Sequence, residues 1–195
     1  MRKFFIASLA VALCIAGTEA QAATYDVDAE HTTVSFKIRH LFSNVQGQFK
    51  EFKGVVEYEP GKPETWSASG SIQVASIDTN VKERDKHLQS ADFFDAAKYP
   101  EITFKTTGVA ESTENHAKLN GTLTMRGVEK PVTLDVDIHG VGKDPWGNVR
   151  AGFTVTTQLN RKDYGLNWNQ ALETGQFLVG DEVAVTIELE GILKQ

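Results

Sequence analysis

Along most of the chain, apolar and polar side chains alternate one for one. Val34, Phe36, Ile38 and His40 fall on one face of a segment whose other face carries Thr33, Ser35, Lys37 and Arg39. The same period of two recurs at Ala68, Gly70, Ile72 and Val74, and at Ala117, Leu119, Gly121, Leu123 and Met125. It returns at Val132, Leu134, Val136 and Ile138, at Val149, Ala151, Phe153 and Val155, and at Val183, Val185, Ile187 and Leu189. Alternation of this kind is the signature of a strand with one face buried and one in water. With 25–28, 46–59 and 102–107 added, the pattern predicts about eight or nine antiparallel strands. The phase shifts between Phe49 and Phe52, which predicts a bulge or a sharp bend there.

Turn signals separate these runs: Glu59-Pro60-Gly61-Lys62-Pro63, Arg126-Gly127-Val128-Glu129 and Asp144-Pro145-Trp146-Gly147-Asn148. One stretch breaks the β pattern. Asn80, followed three residues on by Glu83, reads as an N-cap with a reaching acid that opens a short helix through Leu88. Ser90 and Asp92 read as caps of a second turn carrying Phe93 and Phe94, so a helical segment is expected near residues 80–94. Two-faced strands in this number bury their apolar sides either in a sandwich or by closing into a barrel, and periodicity does not choose between them. A closed eight-stranded barrel is either filled by side chains or holds one small ligand.

The first 22 residues stand apart. Arg2 and Lys3, then an apolar run from Phe4 to Ala16, then Ala20-Gln21-Ala22, have the layout of a signal peptide cleaved after Ala22. The apolar run is too short to span a bilayer. Of 195 residues, this leaves a single domain over 23–195. Cleavage removes two cations and one anion, moving the formal charge from −6 to −7, and also removes Cys14, the only cysteine. The exported protein is expected to have no disulfide and no thiolate chemistry, so its core holds it together unaided. An acidic balance gives no footprint for nucleic acid, and no polybasic tether or stable membrane insertion is expected.

Templates for catalysis are missing: there is no His-Glu-x-x-His, no Gly-x-Ser-x-Gly, no phosphate loop and no dinucleotide fingerprint. The histidines, at 31, 40, 87, 116 and 139, lie far apart, so neither a metal site nor a catalytic residue is expected. The richest polar cluster runs from Asp78 to Leu88. On a helix Arg84 and His87 share a face and either present donors to a ligand's head group or, with Asp85, clamp a solvated helix to the rim. Phe36, Phe49, Phe52, Phe93, Phe94, Phe104, Phe153, Trp168 and Phe177 either line an apolar cavity or fill a core.

Longer motifs add to this. Ser76-Ile77-Asp78-Thr79-Asn80 through Arg84-Asp85-Lys86-His87-Leu88-Gln89-Ser90-Ala91-Asp92-Phe93-Phe94 lies between His31-Thr32-Thr33-Val34-Ser35-Phe36 upstream and Gly121-Thr122-Leu123-Thr124-Met125-Arg126-Gly127-Val128 downstream. Asp144-Pro145-Trp146-Gly147, Arg150-Ala151-Gly152-Phe153 and Asn160-Arg161-Lys162-Asp163-Tyr164-Gly165 follow. Together they resemble the YceI-like family of exported polyisoprenoid-binding proteins. The resemblance implies an all-β fold, an extended eight-stranded antiparallel lipocalin-like barrel, with an apolar tunnel for an isoprenoid, an isoprenoid quinone or another long-chain amphiphilic lipid. It implies a periplasmic location, a homodimer, no cofactor beyond the bound lipid and no established catalytic role for the motif residues. The expected ligand-binding residues are Phe36, Ile38, Phe49, Phe52, Arg84, His87, Phe93, Phe94, Phe104, Phe153 and Trp168. Two other functions remain open: an enzyme on a hydrophobic substrate using Arg84, Asp85 and His87, and a filled, ligand-free, stress-related envelope protein.

Overall fold

The computed structural model describes residues 22–172 and 177–195. The expected signal peptide lies outside the described residues apart from Ala22. Among the described residues eleven strands form, in chain order β1 (Ala23–Val27), β2 (Thr33–His40), β3 (Ser43–Phe49), β4 (Phe52–Tyr58), β5 (Ser67–Gln73), β6 (Ile77–Asp78), β7 (Glu101–Ser112), β8 (His116–Met125), β9 (Val128–Lys143), β10 (Val149–Asn160) and β11 (Val179–Leu193). The helix α1 (Lys82–Gln89) sits between β6 and β7.

The periodicity left barrel and sandwich open; the hydrogen-bonded ladders decide for the barrel. All pairings are antiparallel, and the circuit β1-β4-β5-β7-β8-β9-β10-β11 returns to β1, so eight strands close on themselves. Closure is made by a short strand: Tyr25 pairs with Val56 of β4 on one side and Leu193 of β11 on the other. The earlier part of β11 pairs with β2 instead, and β2, β3 and β6 extend from it as a ribbon. The expected bend at Phe49–Phe52 is the corner at which β3 ends and β4 begins. It is tied by Lys50 N–H to Ser76 C=O (3.2 Å) and Gln73 N–H to Glu51 C=O (2.8 Å).

The β8–β9 turn is Arg126-Gly127 with φ of +50° and +75°, the left-handed pair that a two-residue hairpin needs. The helix begins differently from the expected capping box. Asn80 has φ of +62° and donates its N–H to Asp78 Oδ1 (2.8 Å), so it is a turn residue and not a cap. The cap position is Val81, with no side-chain bond, and Glu83 is exposed. The start of the helix is fixed instead by Asp85, which accepts from Thr79 N–H (2.8 Å) and Thr79 Oγ1 (2.5 Å).

Inside the barrel the apolar faces gather into separate clusters. Tyr25, Tyr58, Trp66, Ala117, Val136, Ile138 and Phe153 pack toward one end; Val34, Phe49, Val74, Ile77 and Ile102 pack toward the other. A third group, Phe93, Tyr164 and Leu166, joins the turn after α1 to the segment after β10.

Candidate functional site: an apolar cavity

Between the two main clusters lies a cavity of about 230 Å³. At one end Tyr58 packs at a tilt against Trp66 (centroids 5.0 Å apart) and meets Phe153 edge-on (5.2 Å), while Trp66 Nε1 donates to Glu59 C=O (2.7 Å). At the other, Phe36 lies against Phe49 (5.8 Å), which meets Phe94 edge-on (6.0 Å). The wall between these aromatic groups is built from strand positions such as Leu119, Leu123, Leu134, Val155, Ile187 and Leu189. Room is left because some inward positions carry little or nothing. Gly54 and Gly70 sit directly opposite each other on β4 and β5, and Gly70 in turn faces Phe104 on β7.

Glycine at Gly121 serves a different purpose. A Cβ there would meet the Phe104 ring at 2.3 Å and Lys105 C=O at 2.8 Å, so the bare backbone lets the ring lie flat against the wall. The Phe36 ring lies over Gly47 in the same way, 2.4 Å from where a Cβ would stand.

Of the eleven residues expected to bind ligand, Phe36, Phe49, Phe52, Phe104 and Phe153 line this cavity. Ile38, Arg84, His87, Phe93, Phe94 and Trp168 do not. Ile38 is on the inner face of β2, but beyond the cavity. Phe94 backs Phe49 from behind. Phe93 and Trp168 pack on each other (5.2 Å) and on the His87 ring (5.0 and 5.1 Å) outside the barrel end. Arg84 turns inward on its own turn: Nε donates to Thr79 Oγ1 (2.7 Å) and Nη2 to Thr79 C=O (2.8 Å), while His87 Nε2 pairs with Asp92 (3.0 Å). The helix is thus clamped through Thr79, which is buried. Lining positions that aromatic content did not single out, such as Leu119, Leu134 and Val155, were within reach of the period-two pattern.

The polar motifs hold the shell. Arg150 donates to Asp144 (2.8 Å), Asp28 (2.6 Å) and Glu190, joining the β9–β10 turn to β11 and the β1–β2 connection. Burial pushes the Asp28 carboxyl up, but Arg150, His31 and the Glu30 N–H outweigh it and hold its pKa at about 2. Arg150 beside Asp144, with the Asn148 side chain, holds the Asp144 carboxyl well below the usual range. Asp28, His31 and Glu190 are also spaced as metal ligands. Arg150 already bonds both carboxylates, which supplies the positive charge an ion would bring. Arg161 is buried and donates to Gly180 C=O (2.8 Å), Leu166 C=O and Trp168 C=O (2.8 Å), with Asp181 at 3.3 Å.

The barrel places this chain among closed antiparallel barrels with a hollow, carbon-lined interior. More narrowly, residues 25–191 match the YceI-like domain, and the chain belongs to that family. A UPF0312 protein of Pseudomonas putida strain GB-1 is 46% identical over 170 residues, covering 85% of this chain and 88% of that one. The crystal structure of Burkholderia cenocepacia BcnA superposes with a TM-score of 0.75 at 27% identity, covering 84% of this chain and 98% of that one. A polyisoprenoid binding domain from Saccharophagus degradans shares the fold at a TM-score of 0.66 and 15% identity, covering 89% of this chain and all of that one. No helix among the described residues is long and apolar enough to cross a membrane.

Proposed function

We propose that the protein binds a long-chain isoprenoid, an isoprenoid quinone or a similar amphiphilic lipid inside the barrel and sequesters or carries it in the cell envelope. The observation that carries this reading is the cavity itself: a closed barrel whose interior is walled by hydrocarbon and left unfilled. Burial of each methylene is worth about 0.8 kcal/mol, so a chain of ten buried carbons gains roughly 8 kcal/mol before the cost of ordering it. Selectivity among chain lengths is weak, because apolar pockets discriminate added methylenes poorly. The family and the polyisoprenoid-binding neighbour support a binding protein over an enzyme. The clamped state of Arg84 and the His87–Asp92 pair supports the same choice, since neither faces the cavity. The signal-peptide layout of residues 1–22 supports a periplasmic location, with homodimers as the expected assembly.

The test is direct. Purified mature protein is extracted with organic solvent and the extract analysed by mass spectrometry, with native mass spectrometry reporting the mass of the intact complex. A co-purifying long-chain amphiphile is the expected result. Phe153→Asp places a carboxylate against the cavity and abolishes loading. Repeated failure to recover or reload any such lipid, with folded protein, refutes the reading.

A further inference from the structure

The barrel wall is interrupted where β9 meets β10. The β8–β9 ladder runs to the end of both strands at Met125↔Val128, and the β10–β11 ladder runs to Asn160↔Glu182. The ladder that should join β9 to β10 stops at Thr156↔Asp135. Beyond it, residues 128–134 of β9 and 157–160 of β10 have no ladder partner in each other, although each keeps its neighbour on the far side. The two strands therefore fork. Four residues of β10 at about 3.3 Å each make the opening roughly 13 Å long. Thr157 Oγ1 donating to Thr133 C=O (3.0 Å) marks its inner limit, and Val128 packed on the Tyr164 cluster marks its outer one. Pro131 lies on the β9 lip, where a residue without an N–H is tolerated because the edge is unpaired.

This fork reaches the cavity. Continuing the β9–β10 register would set Leu134 opposite Thr157 and Val132 opposite Leu159. All four line the cavity yet are only half-buried. The next residue on that face of β9 is Lys130, which is exposed and forms no ion pair among the described residues. Arg161, which would lie opposite it, is committed inward to main-chain carbonyls. A cation thus stands at the outer end of a slot whose inward positions are Val132, Leu134, Leu159 and Thr157.

We propose that this slot is the portal through which the chain of an amphiphile passes sideways into the barrel, and that Lys130 holds an anionic head, phosphate or carboxylate, at its mouth. The proposal rests on the lipid-binding reading and adds a route and a head-group class to it. A lateral slot accepts a chain without opening the aromatic groups at either end. An ammonium at its rim keeps the charged head in water while the chain is buried.

The test uses mature protein, farnesyl phosphate and farnesol, with affinities from calorimetry and loading rates from displacement of an apolar dye. Farnesyl phosphate is expected to bind about tenfold more tightly than farnesol, a difference that Lys130→Gln removes while leaving farnesol within twofold. Residues 23–195 contain no cysteine, so Leu159→Cys gives a single site for a bulky maleimide at the slot. Labelling it slows loading of both probes at least tenfold, whereas the same label on Glu114→Cys, in the β7–β8 turn, does not. Val132→Cys, on the opposite lip, repeats the measurement should the first variant fold poorly. Unchanged preference for the phosphate in Lys130→Gln overturns the head-group role, and normal loading with both lips labelled overturns the portal. If unmodified protein takes up neither probe, the lipid-binding reading falls and the portal with it.

Discussion

Replacing Arg161 with methionine tests how the end of the barrel is held. Arg161 is 5% exposed, and its guanidinium reaches three main-chain carbonyls on two separate stretches, Leu166 and Trp168 after β10 and Gly180 at the start of β11. Burial pushes its pKa down and Asp181 pulls it back up, and a guanidinium remains charged throughout. Methionine keeps most of the stem but leaves all three carbonyls without their donor, and Asp181 with Lys162 alone. Each buried carbonyl left without its donor costs at least about 1 kcal/mol, so the three together cost about 3–5 kcal/mol. For a domain of this size each kcal/mol lowers Tm by about 2–4 °C, so the expected fall is roughly 6–20 °C. Urea unfolding should show the midpoint falling with m unchanged, since the same surface is exposed on unfolding. Arg161→Lys keeps the charge but not the fork of donors, and recovers less than half of the loss. Arg39→Ala, on an exposed side chain with a single 3.3 Å bond to Leu41 C=O, shifts Tm by about 1 °C at most. A fall of less than about 3 °C for Arg161→Met would refute the argument that these carbonyls depend on one side chain.

Three further outcomes are expected. Because the folded-state pKa of Asp28 is held near 2, below its ordinary 3.8, its contribution is fully present above pH 4. It is lost as pH falls toward 2; acid titration of Tm should show that Asp28→Asn flattens this limb by about 2 kcal/mol. Gly121→Val forces the Phe104 ring off the wall and into the cavity, with a cost of about 1–3 kcal/mol and reduced uptake of an apolar dye, whereas unchanged uptake would show that the ring has another place to go. Thr79→Val removes the hydroxyl that receives from Arg84 and donates to Asp85. Hydrogen exchange should then show α1 opening more readily while β7 to β10 stay protected, at a cost of about 1–3 kcal/mol.

The strands were legible because alternation reports which face is buried, and the inward set so identified, Leu119, Leu134, Val155 and Ile187 among them, forms the cavity wall. Closure was not legible from that pattern. It depends on Tyr25 pairing with residues 31 and 168 positions away, and nothing local encodes a contact at that distance. The capping box failed for a local reason: Asn80 adopts a left-handed turn, so the cap passed to Thr79 and Asp85, whose bond spans the start of the helix. Hollowness was equally out of reach, because it follows from Gly54 and Gly70 meeting across two strands, and each alone reads only as a weak strand residue.

The polar residues of the long motifs occupy the joints of the barrel, while Phe36, Leu123 and Phe153 of the same motifs share its lining with period-two hydrocarbon. Asp144 and Arg150 fasten the β9–β10 turn to Asp28 and Glu190; Thr79, Arg84 and Asp85 fasten the helix; Asn160 to Gly165 fastens the segment after β10 through Arg161. Each joint uses charge-assisted hydrogen bonds, whose geometry tolerates little substitution. The lining needs only carbon of about the right size, and such positions accept many exchanges. A barrel built this way can keep its frame while its cavity is retuned, because the charged residues of its motifs fasten the joints and do not face the cavity. Arg84 and His87 illustrate the point: they lie in the most distinctive stretch of the chain, and every polar contact they make serves the turn and the helix they stand on.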